Sequence, residues 1–216
     1  MILKGQRARE MKIQKFLTGI ISTNCYIAEN EETKQAVIID PAACTKKILD
    51  YIGEEGLHIE AILLTHGHFD HIMGIDGFLE HYHVPVYVHE AEEPVMNDPR
   101  LNQSASYTKG YTFSGAQYLR DRQTLELAGY KFEVIHTPGH TWGGCCYYVA
   151  SEKVLFSGDT LFQRSVGRSD FETSSTSDLM HSVKEKLMQL PDDTYVYPGH
   201  MGETMIGYER EHNPFL

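Results

Sequence analysis

The chain reads as an α/β domain of two packed β-sheets flanked by helices, on three observations. Short apolar or alternating runs recur along it, too short for stable helices and bounded by Gly, Pro or acidic turns. These runs fall into two groups, each followed by a stretch with helical periodicity. Four of them end in a Gly-containing turn that displays His or Asp, and strand-end loops of this kind meet at one edge of a sheet to build a site.

Taken in order, residues 1–10 fit no periodicity and read as a loose extension, so the domain is expected to span residues 11–216. Strands are predicted at 11–17, 25–28 and 36–40, with the polar residues 29–32 as a hairpin turn. A helix follows over 45–55, with Ile48, Leu49 and Ile52 on one face and Gly56 as its stop. The run Ala61-Ile62-Leu63-Leu64 is a buried strand, and a helix is expected over 72–82. Residues 84–88 form the next strand, where Pro85 marks an edge or a strand start. A short helix is expected over 90–96. Residues 97–115 show no periodicity, and so long an irregular segment is usually a binding loop or lid. Its Tyr107, Tyr111 and Phe113 either line a substrate mouth or anchor the loop. Strands resume at 124–127, 130–136, 145–149 and 154–156. Leu179, Val183, Leu187 and Leu190 then mark an amphipathic helix that Pro191 ends. A strand at 194–197 precedes a tail, 201–216, too short for another domain.

Composition restricts the function. With 216 residues, 41% hydrophobic and 23% charged, the chain fits one soluble globular domain. Its formal net charge of −11 excludes nucleic acid as the expected substrate, since phosphate binding needs a basic surface. No apolar run approaches the ~20 residues of a membrane span. The polar start lacks the apolar stretch of a signal peptide, so a cytoplasmic protein is expected. Cys25, Cys44, Cys145 and Cys146 are expected to be small buried residues in a reducing compartment, not disulfides or thiolate ligands.

The stretch Thr65-His66-Gly67-His68-Phe69-Asp70-His71 brings four metal-capable side chains into six residues just past a strand. Crowding imidazoles with a carboxylate is unfavourable unless a cation shares them, which points to a metal site. A His-rich surface loop is the competing interpretation of that stretch alone. Three later segments weigh against it: His140 in Thr137-Pro138-Gly139-His140-Thr141, Asp159 in Ser157-Gly158-Asp159-Thr160, and His200 in Tyr197-Pro198-Gly199-His200, each after a predicted strand. With no thiolate in the set, Zn²⁺, Fe²⁺/³⁺ and Mn²⁺ all suit the donors.

H-x-H-x-D-H followed by H, D and H resembles the metallo-β-lactamase superfamily over nearly the whole chain from Met11. The resemblance implies an αββα sandwich and two divalent metal ions, zinc first, with iron or manganese as alternatives. His66, His68 and His140 would bind one ion; Asp70, His71 and His200 the other; Asp159 would bridge them. Asp70 and Asp159 would be the catalytic carboxylates, beside a metal-bridging hydroxide acting as nucleophile. Asp40, which closes the apolar run 36–39, would support the metal loop from beneath.

Within the superfamily the chain is most similar to the glyoxalase II-like (hydroxyacylglutathione hydrolase-like) group, especially its short bacterial members. This rests on Thr23-Asn24-Cys25-Tyr26, Ile38-Ile39-Asp40-Pro41, Gly167-Arg168-Ser169-Asp170-Phe171, Tyr197-Pro198-Gly199-His200 and Glu209-Arg210 through Asn213-Pro214-Phe215-Leu216. The resemblance implies hydrolysis of a small-molecule thioester, a chemistry suited to a metal hydroxide because a thiolate leaves readily. Arg168 is expected to meet a substrate carboxylate or to pair internally with Asp170. The chain is expected to lack the C-terminal helical domain with which long members grip glutathione. Met201 stands where a small Gly is common and would narrow the pocket. The alternative is a persulfide dioxygenase of the same superfamily, whose mononuclear iron site would use His66, His140 and Asp159; that group typically has Ala where this chain has Gly199.

Overall fold

A computed structural model describes residues 11–216; the extension expected at 1–10 lies outside the described residues. The first sheet takes its six strands in chain order: β1 (Met11–Thr18), β2 (Thr23–Asn30), β3 (Gln35–Ile39), β4 (His58–Leu63), β5 (Val86–His89) and β6 (Gln117–Leu119). β1, β2 and β3 form an antiparallel meander, whereas β3 through β6 run parallel. Parallel neighbours need crossovers. They are supplied by α1 (Lys46–Glu55), then α2 (Phe69–Ile72) with α3 (Ile75–Leu79), then α4 (Glu93–Asn97) with α5 (Ser104–Tyr107). α1 is framed as its sequence requires: the Thr45 hydroxyl accepts from the Ile48 N–H at its start, and Gly56 at φ +66° ends it.

The second sheet contains β7 (Thr124–Leu127), β8 (Tyr130–His136), β9 (Cys145–Val149) and β10 (Val154–Gly158) as an antiparallel series. A small ribbon, β11 (Leu161–Phe162) with β12 (Ser165–Val166), and helix α6 (Thr176–His181) then lead to β13 (Tyr195–Pro198), which lies parallel to β10. β14 (Thr204–Met205) closes that edge, and α7 (Ile206–His212) follows.

Three apolar layers hold these parts together. Ile27, Ile38, Ile62 and Val88 on the outer face of the first sheet pack with Ile48, Ile52, Ile75 and Phe78 of the helices. Tyr26, Val37, Ile39 and Leu63 on its inner face meet Phe132, Val134, Tyr147 and Phe156 of the second sheet. Ile135, Cys146, Leu155 and Val196 cover the opposite face of the second sheet beneath Leu179, Val183, Leu187 and Ile206. The result is the expected αββα sandwich. Adjacent Cys145 and Cys146 fall in different layers because a strand alternates its faces, and all four cysteines are free. Among the described residues no helix is long and apolar enough to cross a membrane.

Several boundaries differ from expectation. β2 runs on through Glu29 and Asn30, so the hairpin turn is 31–33; Glu29 is buried, and Lys12 lies 2.7 Å from its carboxylate. β3 stops at Ile39 because Asp40 turns to φ +51°. The single helix expected over 72–82 is two short ones, since Gly74 packs its backbone onto Pro41, donating its N–H to the Pro41 carbonyl at 2.7 Å. The amphipathic helix continues from α6 through a π turn (Ser182–Lys186) and a 3₁₀ turn (Leu187–Gln189), keeping Leu179, Val183 and Leu187 buried. The segment 97–115 contains α5 and is folded on itself, the Asn102 amide and the Ser104 hydroxyl both donating to the Tyr111 carbonyl.

Candidate metal centre

β3, β4, β8, β10 and β13 all end at the same edge of the sandwich, and the loop after each delivers one part of the site. The loop after β4 contributes His66 and His68, and α2, which it leads into, contributes Asp70 and His71, all buried. The loop after β8 contributes His140. Its Gly139 sits at φ +135° with the α6 backbone at Leu179 against it, where a side chain has no room. The loops after β10 and β13 contribute Asp159 and His200.

These side chains form two groups. His68 Nδ1 lies 3.1 Å from His66 Nε2 and 2.9 Å from His140 Nε2. Asp70 Oδ2 lies 3.1 Å from His200 Nε2 and 3.3 Å from His71 Nε2. Asp159 stands between them: Oδ1 is 3.5 Å from His71 Nε2, and Oδ2 is 3.6 Å from both His140 Nε2 and His200 Nε2. Ligand-capable atoms lie within 4.8 Å of one another in His66, His68 and His140, in Asp70, His71 and His200, and also in His66, His71 and Asp159, the cluster that joins the two groups. Asp159 Oδ1 and His71 Nε2 are buried without a hydrogen-bond partner. Buried polar atoms are rarely left so, and a shared cation would satisfy both.

Electrostatics agree with that fit. Burial, reinforced by neighbouring imidazoles, holds His66 well below the usual histidine range and brings His68 down to about 3. Burial also lowers His140. These rings are neutral and keep their lone pairs. Burial opposes a charge on His71 as well, but the carboxylates of Asp70, Asp40 and Asp159 outweigh it and raise its pKa. Asp70 and Asp159 are lowered despite burial, chiefly by His71. The centre therefore favours positive charge between its carboxylates.

The sequence-predicted residues are all at this edge. Asp40 accepts from the Thr65 N–H at 2.8 Å and the Thr65 hydroxyl at 2.7 Å, and its Oδ2 lies 3.0 Å from His71 Nδ1. It thus turns His71 Nε2 toward Asp70 and Asp159. Arg168 lines the cleft, but its guanidinium donates twice to Asp170 at 2.9 Å and lies over the Phe171 ring. Its carbonyl, 2.8 Å from His140 Nδ1, fixes that ring. Of the aromatic residues in 97–115, Tyr107 lines the cleft and stacks on Phe69, whereas Tyr111 and Phe113 pack on the core.

Other supporting residues escaped the sequence reading. Thr23 donates to Asp70 Oδ2 at 2.8 Å. Asn24 and Tyr26 donate to the Pro198 carbonyl and Asn24 also to that of Met201, clamping the His200 turn. Glu92, fully buried, accepts the N–H of Gly67 on one oxygen and that of Gly143 on the other, both at 2.7 Å, so it ties the loop after β4 to the loop after β8. Burial pushes its carboxyl up. The available signal was the run Thr23-Asn24-Cys25-Tyr26, which carries the family resemblance, and a lone acid, Glu92, inside the helix predicted over 90–96.

Comparison with known proteins agrees with this geometry. Residues 18–200 match the family model of the metallo-β-lactamase superfamily. A probable metallo-hydrolase of Bacillus subtilis is 38% identical over 95% of this chain and 98% of its own, and a hydroxyacylglutathione hydrolase, GloC, of Haemophilus influenzae is 33% identical with the same coverage. Among solved structures, the BLEG-1 B3 metallo-β-lactamase superposes with a TM-score of 0.89 at 40% identity, covering 95% and 99% of the two chains. A di-iron form of TTHA1623 gives 0.84 at 34%, covering 94% and 100%. ETHE1 from Myxococcus xanthus gives 0.78 at 29%, covering 94% and 84%. With a metal-compatible His/Asp cluster at the edge of an αββα sandwich, the chain belongs to the metallo-β-lactamase superfamily.

Proposed function

We propose that this protein is a two-metal hydrolase of small thioesters, hydroxyacylglutathione hydrolase-like in its chemistry. The observation that carries the proposal is the Asp159 carboxylate standing between two His/Asp groups. In this reading His66, His68 and His140 hold one ion, Asp70, His71 and His200 the other, and Asp159 is shared. The donors are nitrogen and oxygen only, which suits zinc and equally iron or manganese. Bound there, two divalent ions would lower the pKa of a shared water toward ~7 and polarise the substrate carbonyl. Asp70 and Asp159 line the cleft and would accept hydrogen bonds from that water. Asp40 and Thr23 hold His71 and Asp70 in register, which preorganises the site before substrate arrives. The departing thiolate needs no acid, because its conjugate acid has a pKa of ~8.5.

Two neighbours support opposite refinements of this reading: the relative named a hydroxyacylglutathione hydrolase favours the thioester, and the ETHE1 likeness favours a one-iron persulfide dioxygenase using His66, His140 and Asp159. Gly199 favours the hydrolase. A Cβ there would meet Asp159 Oδ1 and come within 2.6 Å of His71 Cε1, so the chain keeps room where the second ion would sit. The test is parallel assay of the zinc- or iron-supplied protein for thiol release from acyl thioesters and for oxygen uptake with glutathione persulfide. Thiol release without oxygen consumption is expected. Persulfide-dependent oxygen uptake with no thioester cleavage would overturn the proposal.

A further inference from the structure

The cleft over the metal centre has about 340 Å³ of space. Its walls beyond the His and Asp groups are mostly apolar: Ile21, Phe69, Phe162, Val166, Phe171 and Met201. Gln103 and Ser165 add only neutral polar groups. Among the described residues Arg168 is the single lysine or arginine on the lining, and Asp170 already pairs with it through two hydrogen bonds of 2.9 Å. At the floor, the carboxylates of Asp70 and Asp159 and the His200 ring face the cleft, and there the ions of the proposed site would meet the thioester itself, leaving the outer walls to meet the carrier. Leu17 and Ile20, exposed at 66% and 58%, extend the apolar character along the β1–β2 hairpin that carries Ile21.

From this lining we infer that the cleft selects thioesters of apolar acyl groups on a carrier whose portion near the sulfur is uncharged, over short hydroxyacyl thioesters of an anionic carrier. The inference rests on the thioesterase reading for its chemistry and on the cleft for its selectivity. Each methylene buried against these walls gains up to about fourfold in affinity. A carrier carboxylate or phosphate, by contrast, finds no unpaired lysine or arginine among the described residues of the lining, and burying an unpaired charge is costly. The chain's net charge of −11 further disfavours an anionic carrier. Met201, held at φ +69° with its side chain largely exposed at the mouth, adds apolar surface to the lining.

The test is calorimetric binding of thioethers, which resist hydrolysis, to the zinc-loaded full-length protein. S-hexyl-N-acetylcysteamine is expected to bind roughly tenfold or more tighter than S-ethylglutathione. Equal affinities, or tighter binding of the glutathione ether, would overturn the inference. Ile21→Lys, at the exposed hairpin tip, should shrink that ratio while leaving metal content unchanged; an unaltered ratio would count against Ile21 as part of the selecting wall. Turnover of hexanoyl-N-acetylcysteamine and S-D-lactoylglutathione, measured alongside, separates the two claims. Selective binding of the hexyl ether with neither thioester cleaved would sink the hydrolase and leave the apolar cleft standing.

Discussion

Asp159 is the side chain on which both halves of the centre converge, with one oxygen facing His71 and the other facing His140 and His200. Asp159→Ala leaves two imidazole clusters with no common carboxylate. Metal content should fall well below that of the parent, and thioester turnover should drop by more than the roughly 10–100-fold typical of losing a partner behind a ligand. Elemental analysis with a thiol-release assay checks it; two retained ions with near-normal turnover would refute a shared carboxylate. Gly199 makes the complementary point, because what matters there is the absence of a side chain. Gly199→Ala puts a methyl group against Asp159 and His71 and should bring bound metal from two toward one per chain, with the fold intact by circular dichroism. Unchanged stoichiometry would mean that the turn yields and that Gly199 does not discriminate between one- and two-metal sites.

The loops that carry the candidate ligands are held by elements lying beneath them. β2 clamps the His200 turn through Asn24 and Tyr26, Asp40 at the end of β3 holds Thr65 and His71, and Glu92 links the Gly67 and Gly143 backbones. Glu92 suits a direct test, since each oxygen accepts one buried N–H. Glu92→Gln supplies a single acceptor and points an amide N–H₂ at the other donor, costing about 1–3 kcal/mol. At roughly 2–4 °C per kcal/mol for a domain of this size, melting should move several degrees lower. An unchanged melting temperature would show that the linkage contributes nothing. This layer was the least legible part of the sequence. Asn24 and Glu92 act on backbone groups distant in the chain and Thr23 on the distant Asp70 carboxylate, and no local periodicity reports such pairings. The candidate metal loop was legible because four of the candidate ligands lie within six residues and the others follow strand-end glycines.

For the molecule as a whole, the alternation of short strands with helical stretches was enough to imply layered sheets, and the three apolar layers follow the inward and outward alternation of those strands. What could not be read were the two-residue strands β11, β12 and β14 and the three-residue β6, which are too short to carry a period of two. α7 was hidden likewise: Ile206 and Glu209 are its buried residues, and Glu209 serves as an acceptor for the Arg164 N–H and the Asn213 amide. Layers and loops together bring five strand ends to one edge and place two ligand groups around one carboxylate. The measurement that tests this most directly is metal content per chain after saturation with zinc or iron and removal of free ion. The account predicts close to two ions per chain; a single ion per chain at every metal concentration would contradict it.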